Sequence, residues 1–103
     1  MSNAMVNEYD ERQFNRLLEF IAQYEREQLS LSMLVGNIEG LLGSIQGIST
    51  AQRNELVRRW GILDEVLALC LDEGERGLRH DEADLVHRAL VELRGLCLKY
   101  IGA

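Results

Sequence analysis

Apolar residues recur along this chain at steps of three and four almost throughout, while the strict alternation of a half-buried strand is hard to find. Four amphipathic helices follow from that spacing. The first runs from about Asp10 to Gln28, with Phe14, Leu17, Leu18 and Ile21 forming one i, i+3, i+4, i+7 stripe. The second opens after Ser30 and carries Leu31, Leu34, Ile38, Leu41, Leu42 and Ile45. The third has the clearest start, because Ser49 can cap it while Gln52, three residues on, reaches back as the other half of a capping box. Leu56, Trp60, Leu63, Leu67 and Cys70 make its inner face, and Gly74 and Gly77 end it in a charged turn. The fourth begins near Asp81, whose carboxylate suits an N-cap, and presents Val86, Ala89, Leu90, Leu93, Leu96, Cys97 and Tyr100. Helices joined by connections this short lie antiparallel to their neighbours, so the expected fold is an all-α, single-domain antiparallel four-helix bundle.

Length and composition fit that picture. Ser2-Asn3-Ala4 ahead of a second methionine reads as the remnant of a cleaved purification tag (residues 1–4), which places the native start at Met5 and the helical domain at 5–103. A chain of this size buries roughly two-thirds of its unfolded surface, enough to fold without staples. With 47% hydrophobic and 27% charged residues and no long apolar run, it has the composition of an ordinary globular protein and no membrane-spanning segment. Glu8, Asp10, Glu11 and Arg12 occupy the start, where a secretory signal would place its apolar region, so the expected compartment is the cytoplasm. Cys70 and Cys97 each sit inside an apolar helical pattern, far apart in sequence. They match neither a disulfide framework nor a zinc signature, and buried free thiols are expected.

The net charge of −6 is unevenly placed. Asp64, Glu65, Asp72, Glu73, Glu75, Asp81, Glu82 and Asp84 face only Arg76 and Arg79 within one stretch, and the remainder of the chain is neutral. Phosphate binding needs the opposite sign, so nucleic acid is not an expected ligand and a basic protein is the more natural one.

Catalytic chemistry is hard to assemble from these residues. His80, Asp84 and His87 share one helix face at i, i+4, i+7, yet a di-metal bundle needs two Glu-x-x-His units and this chain has none. The expectation is therefore solvated surface histidines, with no metal, no cofactor and no catalytic residue. The glycines match neither a dinucleotide fingerprint nor a P-loop. Arg53, Arg58, Arg59 and Trp60 look like a basic-aromatic patch, but Glu55 is spaced to pair with Arg58 and Arg59, and Trp60 lies on the inward stripe.

Two features read as surfaces for contact. Gly36, Gly40, Gly43 and Gly47 fall within roughly 60° of one another on the second helix, nearly opposite its apolar face. Interior glycines cost about 1 kcal/mol each relative to alanine, so something should pack close to that backbone. Either another helix of the chain crosses there, or a partner or second copy does, which leaves a homodimer open. On the third helix, Ile62 and Leu69 are offset from the inward stripe and sit beside Glu65, Asp72 and Glu73. They either bury against the first helix or form an apolar anchor with an electrostatic rim.

Leu29-Ser30-Leu31, Ile38-Glu39-Gly40-Leu41-Leu42, Trp60-Gly61-Ile62-Leu63-Asp64-Glu65, the stretch from Leu69 to Gly74 and the closing amphipathic helix together resemble small helical immunity proteins of bacterial contact-dependent and polymorphic toxin systems. The resemblance spans Leu29 to about Ile101, and much of it is helix patterning that other bundles share. It implies a non-catalytic inhibitor whose acidic surface docks on a cognate basic toxin domain and covers its active site. The residues implied are Glu65, Asp72, Glu73, Glu75, Asp81, Glu82 and Asp84 for charge, with Ile62 and Leu69 as anchors. The competing reading is a homo-oligomeric adaptor or structural protein that associates through the glycine stripe.

Overall fold

The computed structural model describes residues 7–102, and within them the chain forms α1 (Glu8–Glu25), α2 (Leu31–Ser44), α3 (Thr50–Asp72) and α4 (His80–Ile101), with no strand. The expected tag remnant at residues 1–4 and the expected start at Met5 lie outside the described residues.

Most boundaries have an identifiable chemical cause. Asn7 Oδ1 accepts the Asp10 N–H at 2.8 Å, and Ser30 Oγ accepts that of Met33 at 3.1 Å, each taking up a donor the first helical turn cannot satisfy internally. The Ser49–Gln52 capping box forms as expected, with its two bonds at 2.9 and 3.1 Å. Helix α1 stops at Glu25, short of Gln28, because Glu27 turns left-handed (φ 62°) and the Gln28 N–H returns to the Gln23 carbonyl at 2.9 Å. A glutamate gives no sequence warning of that turn. Helix α2 stops at Ser44, with Ile45 extended, and Arg53 of α3 donates to the Leu42 and Ile45 carbonyls left exposed by the helix end. Helix α4 starts at His80. Its N-cap is Arg79, whose N–H is accepted by Glu82 Oε1 at 2.9 Å, so Asp81 lies inside the first turn, where its charge complements the helix dipole.

Each helix packs against two neighbours, in the ring α1–α2–α3–α4–α1, and no Cα atoms of the diagonal pairs come within 8 Å of one another. Contacts run in opposite senses along the α1–α4, α3–α4 and α2–α3 pairs. Phe14 meets the Tyr100 ring edge-on at 6.1 Å while Glu25 pairs with Arg94, and Arg59 meets Glu92 while Arg76 meets Glu82. Likewise Arg53 reaches Leu42 while Trp60 Nε1 donates to the Val35 carbonyl at 2.9 Å. In these three pairs the order of contacts is that of antiparallel helices. Inside, Phe14, Leu17 and Ile21 share one buried cluster with Leu34 and Ile38, Leu56 and Leu63, and Leu90, Leu93 and Cys97, all essentially without exposure. These are the stripes read from the spacing. Cys70 is also buried, and both thiols are free.

One buried charge ties the ring together at its end. Asp10 has no exposure; its Oδ1 accepts the Gln46 N–H at 3.2 Å and its Oδ2 the Gly47 N–H at 2.6 Å. Gly47 thus lies in the α2–α3 connection, not on α2 as its spacing had implied. A Cβ there would stand 2.6 Å from Asp10 Oδ2, so any larger residue forces the carboxylate to shift from its place against the backbone. Asp10→Ala removes two charge-assisted bonds and strands their donors. The expected loss is about 2–3 kcal/mol, or roughly 10–20 °C in Tm for a domain of this size. Thermal unfolding followed by circular dichroism measures it, and Gly47→Ala should lower Tm in the same direction.

Candidate functional site

The sequence between α3 and α4 folds around one guanidinium. Arg76 Nη1 and Nη2 donate to the two Glu82 oxygens at 2.6 and 2.8 Å, Nε donates to Glu73 Oε1 at 2.6 Å, and Nη1 also reaches the Gly77 carbonyl at 3.0 Å. Arg79 Nη2 closes on the same Glu73 oxygen at 2.8 Å. A bidentate pair of this kind fixes direction as well as charge. Glu82 is buried, and its hydrogen bonds from Arg76 and from the Arg79 backbone hold its carboxyl down at about 2. Glu73 is likewise held below the usual carboxylate range by Arg76.

This clasp sets the α4 N-terminus beside the second half of α3 and leaves a groove of about 570 Å³ between them. Val66 forms part of its buried floor, Ile62 is half-buried beside it, and Leu69 (48% exposed) and Leu85 (44% exposed) belong to opposite walls. Glu65 and Asp72 line the α3 side and Asp81 the α4 side. Among the described residues these three carboxylates make no ion pair, whereas Arg76 and Arg79 are both committed to Glu73 and Glu82.

Of the nine residues expected to bind a partner, six therefore converge on one groove: Ile62, Glu65, Leu69, Asp72, Asp81 and Glu82. Glu82 belongs to it as an internal ion pair rather than a free charge. Glu73 is held in the clasp, and Glu75 and Asp84 are exposed outside the groove. The alternative of Ile62 and Leu69 buried against α1 does not occur, since α1 sits diagonally across the ring. Leu85 was missed. Its signal was available, as an apolar residue one place off the inward stripe of Val86, Ala89 and Leu90 and one turn from Asp81.

Three glycines of the stripe also lack cover among the described residues. A Cβ on Gly36, Gly40 or Gly43 would meet nothing within 4 Å, so none of the four described helices crosses there. The basic-aromatic patch dissolves into local pairs: Glu55 binds both Arg58 and Arg59, Arg59 also donates to Glu92 at 2.9 Å, and Arg53 caps α2. His80 Nε2 stands 3.7 Å from Asp84 Oδ2 with both side chains in solvent, and His87 is exposed. Among the described residues no three His, Cys, Asp or Glu side chains gather as metal ligands. Burial pushes the Cys97 thiol up to about 12, far from the thiolate a nucleophile needs.

No helix among the described residues is long and apolar enough to cross a membrane. Compared with models of known families, with curated proteins and with solved structures, the chain matches none.

Glu82 generates a pH prediction. Its folded value of about 2 lies below the reference of 4.5, so its contribution to stability is present above that reference and is lost as pH falls through the folded value. Glu82→Gln should be less stable than the parent at neutral pH and should lose less further stability on acidification from pH 5 to pH 2. Parallel urea melts across that window check it; identical pH profiles would detach the clasp from stability.

Proposed function

We propose that this protein is a non-catalytic inhibitor that binds a cognate basic toxin domain of a bacterial polymorphic toxin system and neutralises it in the cytoplasm by covering its active site. The observation that carries the reading is the coincidence, at the α3–α4 end, of a half-exposed apolar groove with carboxylates that no internal base satisfies. Charge of one sign raises the encounter rate with an oppositely charged partner, and leucines beside it supply the contact that persists after encounter. The resemblance carried by the stretch from Leu29 to Ile101 supplies the class of partner.

The test begins with gentle low-salt purification of the tagged protein from its native host and identification of what comes with it. A basic toxin domain should be recovered in equal amount and lose its activity when the inhibitor is added back one to one. Reversing Glu65, Asp72 and Asp81 together to lysine should then weaken binding roughly 10- to 100-fold at low salt and flatten its salt dependence, with the helical content intact. Unchanged affinity in that triple variant would take the acidic surface out of the mechanism.

A second reading is favoured by one observation, the bare backbone at Gly36, Gly40 and Gly43. A second copy of the chain lying there would make the protein a homo-oligomeric adaptor. Gly40→Gln separates the two by light scattering. If the protein is a dimer through that stripe, the substitution leaves a monomer; if it is a monomer already, the variant gains up to about 1 kcal/mol of stability from helix propensity and keeps its partner.

A further inference from the structure

We infer that the α3–α4 groove is the seat of a single amphipathic helix, lysine- or arginine-flanked, presented by the partner protein. The inference rests on the binding reading above and deepens it by naming the shape and chemistry of what is bound.

Three features define the occupant. Ile62, Val66 and Leu69 follow i, i+4, i+7 on α3, the spacing of a seam that receives side chains from another helix. Leu85 supplies the opposite wall from α4, so the seam is a trough between two helices, and a helix laid in it would contact both. The stretch from Ile62 to Asp72 spans about 15 Å, the length of roughly ten helical residues. An extended strand has no exposed sheet edge here to pair with, since the described residues contain no strand.

Charge decides the flanks. Glu65 and Asp72 stand about 60–80° round α3 from Ile62, on one side of the seam, and Asp81 stands one turn before Leu85 on the other helix. A helix in the trough therefore has carboxylates along both of its edges. Among the described residues Arg79 is the one base lining the groove, and its guanidinium is bonded to Glu73. Cationic residues on both sides of an apolar stripe satisfy this arrangement, whereas an acidic or uncharged helix leaves the carboxylates without counter-charge while dewetting their surroundings.

The test uses the whole protein and a synthetic peptide of about 14 residues, with leucine at i, i+4 and i+7 and lysine at the flanking positions, beside a scrambled peptide of the same composition. Residue-resolved NMR titration at low salt should place the shifts at Ile62, Glu65, Leu69, Asp72 and Leu85, with the peptide becoming helical. Leu69→Gln and Leu85→Gln, both outside the core, should keep the parent Tm and each weaken binding by roughly tenfold. If the scrambled peptide binds equally well, with shifts spread over the acids, the groove is not a helix seat although the acidic surface still attracts basic protein. If neither peptide binds at low salt, both the seat and the acidic docking surface fall. Shifts at the groove that appear on raising the protein concentration alone would assign it to a second copy and overturn the proposal.

Discussion

A helix in a ring of four has only two neighbours, so it can bury one arc of its surface, and anything apolar outside that arc stays in solvent. The rest of this structure depends on that constraint. Phe14, Leu17 and Ile21 fit the arc on α1, and the corresponding stripes on the other helices meet them with no exposure. Because α1 and α3 lie on a diagonal, no helix among the described residues is placed to cover the second, offset row of α3 that contains Ile62 and Leu69. The closed core and the open groove are consequences of the same packing arithmetic.

Hydrophobic stripes alone leave the ring free to slide, and polar links at its ends set the register. Asp10 fixes the start of α1 to the α2–α3 connection through two backbone donors, and Arg53 ties α3 to the carbonyl end of α2. At the other end Arg76 joins the α3–α4 turn to the first turn of α4. A buried carboxylate or guanidinium is costly unless its partners are complete, so each such link tolerates little displacement. The Arg76 clasp also sets charge: by absorbing Glu73 and Glu82 it uses both bases of the acidic stretch and leaves Glu65, Asp72 and Asp81 to face solvent unpaired.

What was legible in the sequence follows from whether a property is local. The helices and their inner faces are written in spacing, the start at Ser30 in one side chain and that at Ser49 in the Ser49–Gln52 pair. The end of α1 was not legible, because Glu27 adopts a left-handed conformation for which glycine or asparagine is the usual signal. The start of α4 was misread for a related reason: Asp81 has the right chemistry for a cap, but Glu82 reaching back to Arg79 takes that role. Asp10 and Arg53 act across 36 and 11 residues, so no window of sequence shows them as links. Six groove residues are legible as offset apolar and acidic positions, while the divergence of Glu82 and Glu73 from Glu65 and Asp72 depends on where Arg76 points.

The glycine stripe and the α3–α4 groove are both uncovered among the described residues, and their physics differs. Bare backbone at Gly36, Gly40 and Gly43 offers close approach but little apolar area, and without a side chain it neither repels nor selects a neighbour by charge. The α3–α4 groove combines side chains that gain from leaving water with carboxylates that lose by it unless a counter-charge arrives. Opposed demands of that kind confer selectivity, because a purely apolar partner strands the acids and a purely cationic one leaves the leucines wet. The helix packing that could not cover Ile62 and Leu69 thus leaves a surface with a defined counterpart, one that must bring an apolar stripe and positive flanks together.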